Sequence, residues 1–125
     1  MKKKLYSILI VEDEPVTAIS LRTRLEILGH SILCVAATGE EAFGLIKSQH
    51  PDLVLLDVTL AGRASGVDVA KRLRKQMPKT KFAFLTAADI PQIRDEVSEL
   101  NPVAIIPKPL TQNYTIELED GVLTL

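Results

Sequence analysis

The stretch LVLLDVTLAG (residues 53–62) runs through four aliphatic residues without a break and then stops on a carboxylate, Asp57. A continuous rather than alternating apolar run fits a strand covered on both faces, as in a parallel sheet. Working outward, YSILIV (6–11), SILCVA (31–36), FAFL (82–85) and VAII (103–106) are runs of the same kind. Helix-period segments lie between them. Ala18, Leu21, Leu25 and Leu28 keep a spacing of three and four, with Pro15 in the first turn and Gly29 at the stop. Ala42, Leu45 and Ile46 mark a second helix with Thr38 as its cap; Val69, Ala70, Leu73 and Met77 mark a third, ended by Pro78. Ile90, Ile93, Val97 and Leu100 repeat the pattern in a fourth, with Asp89 and Pro91 at its start. The order βαβαβαβαβ predicts an α/β domain, a doubly wound five-stranded parallel sheet with right-handed crossovers.

At 125 residues the chain is the size of one such domain. Its 15 basic and 16 acidic residues give a net charge of −1, which offers no basic field for nucleic acid or an anionic membrane. The start, MKKKLYSILIVEDE, returns to charge after seven residues, too soon for a signal peptide or a membrane span. Cys34 stands alone inside an apolar run, so it reads as a small core residue in a reducing compartment. A cytoplasmic domain with no direct nucleic-acid or membrane partner is the expectation.

In sheets of this kind ligands bind beyond the carboxyl ends of the strands, where the strand order reverses. The first strand runs into Glu12 and Asp13, the third into Asp57, the fourth into Thr86 and the fifth into Lys108. Three carboxylates, a hydroxyl and an ammonium are thus expected on one rim. Converging carboxylates repel unless they are protonated or neutralised by a cation. An all-oxygen donor set suits Mg²⁺, and no Cys or His cluster argues for zinc. The lysine and hydroxyl then serve as donors to phosphoryl oxygens, and Asp57 as a nucleophile that forms an aspartyl phosphate.

ILIVEDEP, PDLVLLDV, FLTA and IPKPL together resemble the four signatures of the response-regulator receiver domain of two-component signalling. The resemblance covers residues 5–110 and implies a flavodoxin-like fold with strand order 2-1-3-4-5. It makes Asp57 the phosphoacceptor, fed by a histidine kinase or histidine phosphotransfer protein. It implies Mg²⁺ held by Asp13, by Glu12 mainly through water, by Asp57 and by the backbone carbonyl of Thr59. It assigns Lys108 to the phosphoryl oxygens, with a cis Lys108-Pro109 bond, and Thr86 to a switch that turns toward the phosphoryl group. Thr59 and the small Ala87 contribute backbone beside it, and Thr59 and Ala88 leave a path for water.

Five departures stand out. Ile105 replaces the usual aromatic switch partner of the threonine, and an isoleucine has no ring to swap between exposed and buried positions. Ala61 stands where proline is common, in a loop one residue longer than usual. NPVA (101–104) replaces the frequent Gly-Ala entry to the last strand, and Leu110 a common phenylalanine. The largest is TQNYTIELEDGVLTL (111–125), where a fifth helix is usual. Ile116 and Leu118 alternate with Glu117 and Glu119, and Asp120-Gly121 is a turn signal. The expectation is a receiver domain over 1–110 and a β-hairpin over 111–125. Without a fifth helix one sheet face lacks its cover, so the tail is expected to add strands to the sheet edge, or a second chain to fill the gap. A homodimer through that tail, or through the fourth-helix/fifth-strand face, joins the expected partners.

Duller readings accompany each residue. Asp13 and Glu14 before Pro15 suit helix capping, Thr86 a strand end, Lys108 a solvated loop, and His30 and His50 turns at the opposite end of the sheet. Three functional classes follow. They are a phosphorylatable switch whose catalysis is confined to itself, a phosphorylation-independent binding module, and a Mg²⁺-dependent phosphohydrolase. The last lacks a second acid two residues after Asp57, where Thr59 stands.

Overall fold

A computed structural model describes residues 4–60, 62, 64–87 and 91–125, the side chains of 91–93 excepted. Its elements in chain order are β1 (Ser7–Val11), α1 (Pro15–Ile27), β2 (Ser31–Ala36), α2 (Gly39–Gln49), β3 (Leu53–Asp57), α3 (Gly66–Gln76), β4 (Lys81–Thr86), α4 (Pro91–Glu99), β5 (Ala104–Pro107), β6 (Thr115–Leu118) and β7 (Gly121–Thr124). The first five strands form one parallel sheet in the order β2-β1-β3-β4-β5. That is the order the family resemblance implies, on the doubly wound sheet the residue pattern predicts. The expectations for Ala61, Ala88, Asp89 and Ile90 fall outside the described residues, as does the side chain of Ile93.

Because successive strand residues face opposite sides, each apolar run feeds two cores. Leu9, Val11, Val54, Leu56, Phe82 and Phe84 pack with α2, α3 and Val97 of α4. Ile8, Ile10, Leu53, Leu55, Ala83, Leu85 and Ile106 face the other way, toward Leu21 and Leu25 of α1. Each fully buried aliphatic or aromatic side chain contributes about 1.5–3 kcal/mol. Cys34 is a partly buried member of the first core.

Local signals end the helices as their residues dictate. Thr38 caps α2 by accepting the Glu41 N–H at 3.2 Å, and Gly29, at φ +96°, lets the chain leave α1. Ser65 and Asp68 form a reciprocal capping box at the start of α3. His50 takes the left-handed turn after α2 at φ 49°, a turn role as expected. His30 does more than turn. It is buried, stacks on Tyr6 with ring centroids 5.8 Å apart, and accepts the Tyr6 N–H on Nδ1 at 3.1 Å.

Residues 111–125 do form a β-hairpin, but it does not extend the large sheet. β6 and β7 are a separate antiparallel pair, with Ile116 opposite Leu123 and Leu118 opposite Gly121. That register places the turn at Glu119 and Asp120, one residue earlier than the Asp120-Gly121 signal. Ile116, Leu123 and Leu125 are buried in the same core as Leu21, Leu25 and the inner faces of β1, β3 and β4. The expectation of edge addition is therefore corrected. Alternation gives the hairpin one apolar face, and that face is buried against the side of the sheet that α1 also covers. The chain's own side chains thus occupy the gap for which a second chain was invoked. Polar ties secure it. Asp120 pairs with Lys4 and accepts from the buried Tyr6 hydroxyl at 3.3 Å, and Arg24 donates to Asn113 Oδ1 at 3.2 Å.

Candidate functional site

The order reverses between β1 and β3, and both strands end there in acid. The carboxylates of Glu12, Asp13 and Asp57 approach so that one oxygen or more of each lies within 4.8 Å of the others. Asp57 is 5% and Glu12 2% exposed, whereas Asp13 faces solvent. Their backbones are fixed by the sheet, through Glu12 N–H to Ala36 O at 2.9 Å and Val58 N–H to Leu85 O at 3.0 Å.

Lys108 arrives from beyond β5, its own N–H donating to Thr86 O at 2.7 Å, and the Lys108-Pro109 bond is cis. Its ammonium donates to Glu12 Oε1 at 2.6 Å and to Asp57 Oδ2 at 3.0 Å. Asp57 Oδ1 meanwhile accepts the Thr59 N–H at 3.0 Å. Thr86 closes β4 half-buried, and Ala87 follows on the exposed bend. Ile105 is 42% exposed on β5. The structure thus brings Glu12, Asp13, Asp57 and Lys108 together, with the Thr59 amide beside them and the Thr86 backbone against Lys108.

Electrostatics follow from that crowding. Burial, and then the neighbouring Asp57, push the Glu12 carboxyl up to about 8 against the pull of Lys108. For Lys108, burial works to lower the pKa, but its bonds to Glu12 and Asp57 prevail and hold it above the usual lysine value. Glu12 Oε2 is buried with no hydrogen-bond partner among the described residues. A buried carboxylate oxygen without a donor is costly, and a cation beside three acids removes that cost. The oxygen-only donor set fits a hard divalent ion such as Mg²⁺.

Two further residues shape the site without chemistry of their own. Gly66 opens α3 directly against Asp57, where a Cβ would lie 1.8 Å from the Asp57 carbonyl oxygen. Ser65 caps that helix with Asp68. The Ser-x-x-Asp spacing announces the cap in the sequence, but nothing local marks Gly66 as a contact of Asp57.

Comparison with known proteins agrees with this geometry. The family model described as response regulator receiver domain matches residues 8–118. The chain is 38% identical over 103 residues to the phyllosphere-induced regulator PhyR of Methylorubrum extorquens, covering 82% of this chain and 38% of that protein. It is 30% identical over 116 residues to protein CcdB of Bacillus subtilis, covering 93% of this chain and 96% of CcdB. The chain therefore spans about two-fifths of the length of PhyR and nearly all of CcdB. Among solved structures, the signal receiver domain of a modulated diguanylate cyclase from Desulfovibrio desulfuricans G20 superposes with a TM-score of 0.79 at 34% identity, covering 85% of this chain and 83% of that one. Among the described residues no helix is long and apolar enough to cross a membrane. With an acid pair after β1, an aspartate closing β3 and a lysine beyond β5 on a 2-1-3-4-5 sheet, the chain belongs to the response regulator receiver domain family.

Proposed function

We propose that this receiver domain is a cytoplasmic phosphoacceptor switch of a two-component or phosphorelay system, taking a phosphoryl group from a phosphohistidine protein onto Asp57. The observation that carries this reading is the setting of the Asp57 carboxylate, with Lys108 on Oδ2, the Thr59 amide on Oδ1 and two further acids beside it. An Asp57 oxygen forms the O–P bond as the donor's P–N bond breaks. The leaving imidazole nitrogen keeps the electron pair and takes up a proton.

Asp13, Asp57 and the Thr59 carbonyl, with Glu12 acting mainly through water, would hold Mg²⁺. Bound there, the ion supplies charge neutralisation for the incoming phosphoryl oxygens. Lys108 donates to those oxygens, and the Thr86 hydroxyl and Ala87 amide receive them from the β4 side. The added charge, about −1.5 to −2, biases the packing of α4 and β5. Covalent chemistry is confined to phosphorylation and dephosphorylation of the domain itself. Its partners are the phosphodonor and a protein that reads the altered surface.

A second reading, a phosphorylation-independent binding module, draws on Ile105. It leaves an exposed aliphatic side chain where an aromatic usually swings between two positions. Beryllofluoride, a phosphoryl mimic for carboxylates, separates the two. With Mg²⁺ it is expected to raise the Tm of the wild type and not of Asp57→Asn; an unchanged wild-type Tm rejects the switch.

A further inference from the structure

The loop that leaves Asp57 is fastened at its far end to the start of α2. Glu40 Oε1 accepts the Ala64 N–H at 3.1 Å. Gly62, at φ +92°, passes so near that a Cβ there would lie 3.1 Å from Glu40 Oε2. Gly39, one residue before Glu40, is pressed against the same loop, and a Cβ on it would lie 2.7 Å from Ala64 Cβ and 2.9 Å from Ala64 O. Two glycines thus permit the close approach and one carboxylate ties it.

Just beyond the tie, the chain bonds back to a single peptide unit beside Asp57. Gly66, two residues after Ala64, donates its N–H to Val58 O at 3.0 Å. The N–H on the other side of that planar unit belongs to Thr59 and reaches Asp57 Oδ1 at 3.0 Å. Because the peptide is rigid, gripping the Val58 carbonyl fixes where the Thr59 amide points. A charged acceptor makes the stronger hydrogen bond, and Glu40 sits in the first turn of α2, where its charge also suits the helix.

We propose that Glu40 is a positioning residue for the Asp57 site: by holding the Ala64 N–H it fixes the Gly66 grip on the Val58–Thr59 peptide, and thereby the affinity of the site for Mg²⁺. The proposal rests on the phosphoacceptor reading, because the Thr59 amide held in this way orients Asp57, which that reading assigns to the ion. Glu40 is not one of the three carboxylates that converge at Asp57. Its side chain is exposed, so its replacement leaves both cores intact.

Three variants test it. Glu40→Ala removes the acceptor, and Glu40→Gln keeps an oxygen in its place. Glu41→Ala removes the neighbouring carboxylate, which accepts the Ala37 N–H at 3.3 Å instead. Calorimetric titration with Mg²⁺ is expected to show Glu40→Ala weakened roughly tenfold, the low end for a group that orients a metal ligand. Glu40→Gln and Glu41→Ala should stay close to wild type. Amide exchange read without metal gives an independent measure, with faster exchange at Thr59 in Glu40→Ala and no change at Leu56. Wild-type Mg²⁺ affinity and wild-type Thr59 exchange in Glu40→Ala would overturn the proposal while leaving the phosphoacceptor reading intact. If the wild type binds no Mg²⁺ at all, that reading fails, and the Thr59 exchange alone decides whether Glu40 holds the loop.

Discussion

Gly66 lies against the backbone of Asp57 so closely that a Cβ would stand 1.8 Å from the Asp57 carbonyl oxygen. No side chain fits there without moving α3 away from β3. Gly66→Ala is therefore expected to cost at least the ~1–3 kcal/mol typical of overpacking. Gly44 makes the contrast, since nothing lies within 4 Å of its Cβ position in the middle of α2. Gly44→Ala should stabilise by about 0.5–1 kcal/mol. Urea melts of the two variants check both, and equal effects would contradict the packing described.

Ile116 and Leu123 make the hairpin part of the core. Truncating either to alanine is expected to cost about 2–5 kcal/mol, the range for large-to-small changes in a core. Both variants should still unfold in one transition with the rest of the domain. Losses below about 0.5 kcal/mol, the range of surface changes, would mean a loosely attached tail.

Stability should fall on mild acidification through His30. Its Nδ1 accepts the Tyr6 N–H, so the ring is neutral with its proton on Nε2, and burial holds its pKa below the usual value. The unfolded chain therefore takes up this proton at a higher pH than the folded chain does. The contribution is full above about pH 6.5 and declines as pH drops below that value. His30→Asn, which places a non-titrating acceptor near Nδ1, should flatten the fall in Tm between neutral pH and pH 5.5. An unchanged pH profile in this variant would remove His30 from the account.

Lys108 contacts two acids at once, Glu12 and Asp57. Its role as donor to the phosphoryl group predicts that Lys108→Ala slows phosphorylation of Asp57 by roughly 100-fold or more, as for loss of one preorganised donor. Rates with a small acyl phosphate at saturating Mg²⁺ measure this. A rate near wild type would reduce the lysine to a structural counter-ion.

Most of this was legible in the sequence because parallel strands write continuous apolar runs and their carboxyl ends carry the chemistry. Glu12, Asp13, Asp57 and Lys108 converge as their strand ends required. The hairpin was legible from the alternation of Ile116 and Leu118 with glutamates, but its docking was not, since alternation says which face is apolar and not what lies beneath it. The turn fell one residue early because register with the opposite strand, rather than the Asp120-Gly121 pair, set it. Gly66, Gly39 and Glu40 escaped notice for a common reason. Each matters through a contact made by a loop returning to a distant strand or helix, and no local pattern encodes such a contact. His30 read as a turn residue because its acceptor role depends on Tyr6, brought beside it by the pairing of β1 and β2.

The most direct test of the switch is intact-protein mass after incubation with Mg²⁺ and a small acyl phosphate, with Asp57→Asn alongside. A single phosphoryl adduct is expected on the wild type, one that requires Mg²⁺ and is absent from the variant. An unmodified wild type that binds Mg²⁺, or an adduct that persists in Asp57→Asn, would contradict it.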